Sequence, residues 1–283
     1  MKNRLILIEG IPGSGKSTMA GKLKDYLDSK CIPAKVYREG DLHPADLSWC
    51  DCLTRDEYQM LLDSYPEHRD SIMQHTLLED GHAILAYTRL SLHHKDPKLR
   101  EYFENHEIHG GRISLDSFQA LHLQRWKKFT LNCEQDMVYI FECAYLQSHI
   151  QQLMGIYVKD LSYITDYMLK LIDTVISLHP KLIYLYQPDA AEAIRRIAAE
   201  RVSGDQSALP DWIDMTSYYI EASPYGQAHQ LKGHMGVVKF FETRRGLDLA
   251  VLDQLPIDKA ILHIHDFNWD EVYQQLIQEA VTN

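Results

Sequence analysis

The sequence predicts a three-layer α/β fold: five parallel strands between layers of helices, interrupted by one large helical insert. Three observations predict it. Short apolar runs, Leu5–Ile8, Ala34–Tyr37, Met137–Phe141, Leu182–Tyr186 and Ala260–Ile264, have the length and composition of buried parallel strands. Helical patterns alternate with them, the order expected of strand–helix–strand units. Between the second and third runs, positions 46–136 hold far more chain than the single helix a crossover needs.

The first strand leads into Gly10-Ile11-Pro12-Gly13-Ser14-Gly15-Lys16-Ser17-Thr18, which satisfies G-x-x-x-x-G-K-[ST] without a mismatch. Ala20, Leu23 and Leu27 then recur at helical spacing, so the loop joins a strand to a helix. Glycines at these positions let backbone N–H groups turn inward around phosphate oxygens, and a helix N-terminus adds partial positive charge. Lys16 is expected to reach the β- and γ-phosphates of ATP and Ser17 to ligate Mg²⁺. Gly10, Gly13, Ser14, Gly15 and Thr18 complete the nucleotide-binding set.

These residues, as they stand, resemble the loop of small-molecule kinases of the P-loop superfamily, nucleoside and nucleotide kinases of the thymidylate kinase type among them. The resemblance implies a P-loop NTPase fold with strand order 2-3-1-4-5. It extends to Arg38-Glu39-Gly40-Asp41 after the second strand, which is similar to the Arg-Glu-Pro-Gly of thymidylate kinases although the proline is missing. By that likeness Glu39 or Asp41 would hold the phosphoryl acceptor or take its proton, and Arg38 would steady an anionic part of it.

The insert, 46–136, reads as helical: Tyr58, Leu61, Leu62 and Tyr65; Ile72, Met73, Thr76 and Leu77; Leu115, Phe118, Leu121, Trp126 and Phe129. Only Ala83–Tyr87 suggests a strand, and His93–Arg112 reads as a mobile loop. In P-loop kinases this position covers the acceptor, which makes Tyr87, Arg89, Gln119, Arg125 and Trp126 candidates for binding it.

The third strand ends in Glu142, where a carboxylate is placed to hold Mg²⁺ or its water, or to activate the acceptor. Glu142-Cys143-Ala144-Tyr145 lacks the arginine that the likened families carry after the acid. Gln147 stands at a helix start, as a ligand contact or a cap. Leu161, Ile164, Met168, Leu171, Ile172, Val175 and Leu178 mark one long helix stopped by Pro180, with an apolar face on which a second copy of the chain could pack.

After the fourth strand, a helix bearing Arg195, Arg196 and Arg201 is similar to the lid of nucleotide kinases, whose arginines clamp the transferring phosphoryl group. Lid and return would span 195–246, with Trp212, Tyr218, Tyr219, Tyr225, Phe240 and Phe241 either walling a flat ligand or merely packed. Asn268 with Glu271 is a capping pair for the last helix.

Length and composition are those of one globular domain over 1–283, 45% hydrophobic and 24% charged. A net charge of −11 disfavours a polynucleotide partner. Five cysteines, at 31, 50, 52, 133 and 143, form no C-x-x-C pair, and His93-His94 and the other histidines match no linear metal motif. The expectation is a reduced, cytoplasmic protein without a membrane span. The predicted activity is transfer of the ATP γ-phosphoryl group to a small-molecule acceptor, a nucleoside or nucleotide first. A hydroxylated metabolite or antibiotic, or an ATPase switch acting on a protein partner, stands as the alternative.

Overall fold

A computed structural model describes residues 2–79, 81–90, 96–203 and 210–281. In chain order it contains β1 (Leu5–Gly10), α1 (Lys16–Ser29), β2 (Ala34–Tyr37), β3 (Asp51–Thr54), α2 (Arg55–Ser64), α3 (Arg69–Gln74), β4 (Thr76–Glu79) and β5 (His82–Leu85). There follow α4 (Pro97–His106), α5 (Leu115–Asn132), β6 (Val138–Glu142), α6 (Leu146–Gly155), α7 (Leu161–Asp173), β7 (Lys181–Tyr186) and α8 (Ala190–Glu200). The remainder is α9 (Trp212–Ala222), α10 (Pro224–Ala228), α11 (Gly233–Gln254), β8 (Asp258–His263) and α12 (Trp269–Val281).

Five strands form an all-parallel sheet in the order β2-β6-β1-β7-β8. Counted along this sheet alone, that is the expected 2-3-1-4-5. The period of two in each strand divides the core between the sheet's faces. Leu5, Leu7, Tyr139, Phe141, Leu182 and Tyr184 face the side covered by α6, α7 and α11. Ile6, Ile8, Val138, Ile140, Ile183 and Leu185 face α1 and α12. Register pairs Ile8 with Glu142 and Gly10 with Leu185, so Glu9, Glu142 and the loop after β1 share the carboxyl edge where open parallel sheets bind ligands. Among the described residues no helix is long and apolar enough to cross a membrane.

The insert carries helices α2 to α5 and, beyond the one strand expected at 83–87, two more strands. It holds a three-stranded antiparallel sheet, β3-β5-β4, around which Leu53, Tyr58, Leu61, Leu62, Ile72, Leu85 and Phe103 form a separate core. Thr76 and Leu77 therefore lie on a strand, not on the preceding helix. Within the stretch expected to be a mobile loop, Pro97–His106 is helical; Asp96 accepts from the Lys98 and Leu99 N–H groups, and proline fits the first turn. His93 and His94 lie outside the described residues.

Residues 161–178 are a helix followed, after Thr174, by a short 3₁₀ turn, Ile176–Leu178. Ile164, Met168, Leu171 and Ile172 are buried in this chain's own core, so the apolar face is already occupied. The stretch after α8 is helical, α9, α10 and α11. Phe240 and Phe241 on α11 are buried, Tyr225 packs on Phe240, and α11 crosses α6, α7, α8 and α9. Residues 204–209 of that stretch are outside the described residues. At the last helix, the Asn268 side chain accepts from the Glu271 N–H, as the pairing predicts.

Candidate active site

The loop after β1 is shaped by three glycines in the left-handed half of backbone space, Gly10, Gly13 and Gly15, with φ of 151°, 81° and 76°. A Cβ would stand 2.7 Å from the Leu185 carbonyl at Gly10, 2.7 Å from the Ala193 carbonyl at Gly13 and 2.7 Å from the Trp269 ring at Gly15. The loop is thus wedged against β7, α8 and the start of α12. No side chain caps α1, so its first-turn N–H groups are available to an anion. Lys16 is buried, and its ammonium donates to the Ile11 carbonyl at 2.9 Å. Ser14 Oγ is buried with no partner among the described residues. Orphan donors, an uncapped helix start and a glycine cradle together fit a bound phosphate chain.

Beside the loop stands a chain of acids. Ser17 Oγ donates to Glu142 Oε1 at 2.8 Å, and the Glu39 backbone N–H donates to Glu142 Oε2 at 3.1 Å. Cys143, at φ 67°, turns its thiol onto the same carboxylate at 3.0 Å. The Glu39 carboxylate is oriented by Trp49 Nε1 at 2.9 Å and Gln147 Nε2 at 3.1 Å. Asp41 is differently engaged: it accepts from the Arg38 N–H at 2.7 Å and pairs with Arg89, which also donates to the Gly40 carbonyl. Lys16, Ser17, Glu39 and Glu142 therefore come together. Asp41 and Arg89 close the turn next to them.

A second group under the loop was not singled out from sequence. Glu9 is fully buried and accepts from the N–H groups of Tyr145 at 2.7 Å and Gln147 at 3.0 Å, which ties the start of α6 to β1. Arg244, from α11, donates to the Gly10 carbonyl at 2.7 Å. Asp248 lies 3.7 Å from that guanidinium and accepts from Tyr184 Oη at 2.9 Å. Burial raises the Asp248 carboxyl, the Arg244 charge opposing it. The only sequence signal was a pair of arginines following Phe240 and Phe241.

Burial pushes the Glu9 carboxyl up from 4.5 to about 8, against the two backbone N–H bonds. Between those values the folded chain keeps a proton that the unfolded chain releases. Stability from this group is full below the lower value and is lost as pH rises through the upper one. Urea unfolding across that window is expected to show wild-type stability falling by up to about 1.4 kcal/mol per pH unit from this group, with Glu9→Gln removing that component. Equal pH slopes in the two proteins would show that Glu9 does not carry the proton.

The other candidates lie as follows. The Arg196 guanidinium stacks 3.6 Å from the Phe267 ring centre and pairs with Glu192, which Arg195 grips with two bonds; Arg201 lies beside Trp212. The exposed Arg38 side chain turns back over α1 at Gly21. Four expected acceptor contacts are engaged elsewhere. Tyr87 is buried against Phe103 and donates to Glu107 at 3.0 Å. Arg125 is buried between Glu79, at 2.5 Å, and the His43 carbonyl, at 2.8 Å, because a guanidinium without bulk water needs fixed acceptors. Gln119 accepts from Tyr163 at 3.1 Å on the exposed side of α5. Trp126 is fully buried in the main core.

Scanned against protein-family models the chain matches no family, and a search of curated proteins finds no match.

Proposed function

We propose that this chain is an ATP-dependent phosphotransferase of the P-loop kinase class, acting on a small molecule, with a nucleoside or nucleotide as the favoured acceptor. The observation that carries the reading is the Ser17–Glu142 hydrogen bond beside a glycine cradle that leaves Ser14 Oγ unpartnered. In this reading Gly10–Thr18 wraps the phosphates through backbone N–H groups. Lys16 leaves the Ile11 carbonyl to meet the transferring group, whose charge grows outward onto its equatorial oxygens. Ser17 and Glu142 would hold Mg²⁺, directly or through water, and the ion when bound neutralises phosphate charge.

Glu39 is the acid best disposed to the acceptor, since Asp41 is already paired with Arg89. It would receive the proton of an attacking hydroxyl as the new P–O bond forms and the bond to ADP breaks. Trp49 and Gln147 fix its direction, so the proton acceptor is aimed before substrate arrives. Arg196, stacked on Phe267, offers the outer face of its guanidinium to a flat base.

The test is transfer of label from γ-labelled ATP with Mg²⁺ to pools of nucleosides, nucleotides and hydroxylated metabolites. Label is expected on a nucleoside or nucleotide product. Hydrolysis unaffected by every pool, with no labelled product, would overturn the kinase reading in favour of an ATPase that answers to a protein.

A further inference from the structure

Behind the acids, where the insert meets the main sheet, Asp46, His109 and His122 are all buried and each directs a ligand atom to within 4.8 Å of the other two. They come from separate segments: the loop leaving β2, the turn after α4, and α5. We propose that they form a mononuclear Zn²⁺ site, with water as the fourth ligand, that cross-links three segments of the insert. The site requires nothing of the phosphotransferase reading, and its test does not depend on turnover.

Three features point to a cation. His109 Nε2 and His122 Nε2 face each other at 3.4 Å, long for an N–H···N bond, yet close to the roughly 3.3–3.4 Å between two nitrogens each about 2.05 Å from a tetrahedral zinc. His122 Nδ1 lies 2.8 Å from the Phe118 carbonyl; a proton held there leaves Nε2 as a lone pair aimed at His109. Asp46 Oδ1 is buried without a partner among the described residues, while its Oδ2 accepts from Ser148 Oγ at 3.2 Å, which orients the carboxylate. Two imidazoles and one carboxylate form a donor set that zinc accepts, and carbonyl and hydroxyl partners behind the ligands are the support such sites use.

No ligand here is near another in sequence, which explains why the histidines match no linear motif. Zinc binding would reinforce three chain segments that the Arg125–His43 and Ile108–Cys50 bonds already bring together. A metal that binds the folded chain alone raises its stability by mass action.

The experiment uses the full chain freed of any affinity tag, stripped with chelator and titrated with Zn²⁺ and Co²⁺. One equivalent is expected to bind. The Co²⁺ form should give the intense visible bands of a tetrahedral site, and X-ray absorption of the Zn²⁺ form should show two imidazoles among four light ligands. His122→Gln and Asp46→Asn are each expected to weaken zinc binding by at least about 100-fold, the upper range for losing even an outer-shell partner, and to abolish the zinc-dependent rise in Tm. Half-buried His68→Gln and exposed His229→Gln should change neither. If His122→Gln does not fold, the spectra of the wild-type protein decide. Failure of the wild-type chain to take up one equivalent, or equal binding by all variants, overturns the proposal.

Discussion

Lys16→Ala is expected to lower ATP turnover on the order of 10²- to 10³-fold or more, a loss of about 2.7–4 kcal/mol of transition-state stabilisation. The size follows from position. Lys16 is the cation of the loop, buried, with its ammonium held by one carbonyl. A charge there gains most when a phosphoryl group develops negative charge in a site that excludes water. The fold should survive, because the substitution removes one carbonyl contact and leaves the glycine turns untouched. The check is steady-state turnover with the best acceptor pool, together with unfolding midpoints for both proteins. Near-native turnover in a folded variant would separate the loop from the chemistry.

The second large effect concerns stability. Arg244→Met is expected to cost about 3–5 kcal/mol, the range for removing one partner of a buried charge pair. Asp248 would keep only Tyr184 and the Gly10 carbonyl would lose its donor, both where water cannot substitute. The double variant Arg244→Met with Asp248→Leu is expected to recover part of the loss, since no lone buried charge then remains. Urea midpoints for the three proteins decide. A single variant within about 0.5 kcal/mol of wild type, the usual range for surface changes, would show that the pair is not a support.

Much of the main sheet could be read before any coordinates. Leu5–Ile8, Met137–Phe141 and Leu182–Tyr186 are apolar on both faces because both faces are covered, so each strand appears as an unbroken run. The insert was less legible for the opposite reason. β3, β4 and β5 are four residues each, too short for alternation to show, and β4 sits at a sheet edge with Leu77 and Leu78 exposed. The sequence does carry one hairpin signal, the dipeptide Asp80-Gly81, and the register of β4 and β5 pairs Glu79 with His82. α11 was obscured by its surroundings; buried on several sides, it presents no single apolar stripe.

The candidate site divides along the same line. Gly10–Thr18, Glu39 and Glu142 announce themselves through local spacing and strand ends. Tyr87 and Arg125 read as ligand contacts because sequence shows their chemistry and not their partners, Glu107 and Glu79. Arg244 lies 234 positions from Gly10, whose carbonyl it meets, a distance that no motif spans.

The contact of Trp269 with Gly15 also carries a schedule. β1 is made first, but its partners β6 and β7 begin at Val138 and Lys181, and the ring that backs the loop arrives only with residue 269. During synthesis the glycine loop therefore meets β7 and α8 first and gains its third backing only when α12 emerges. Native contacts so remote in sequence make for slow assembly, with the apolar β1 exposed to wrong partners meanwhile. The loop should thus reach its final shape late, once α12 docks.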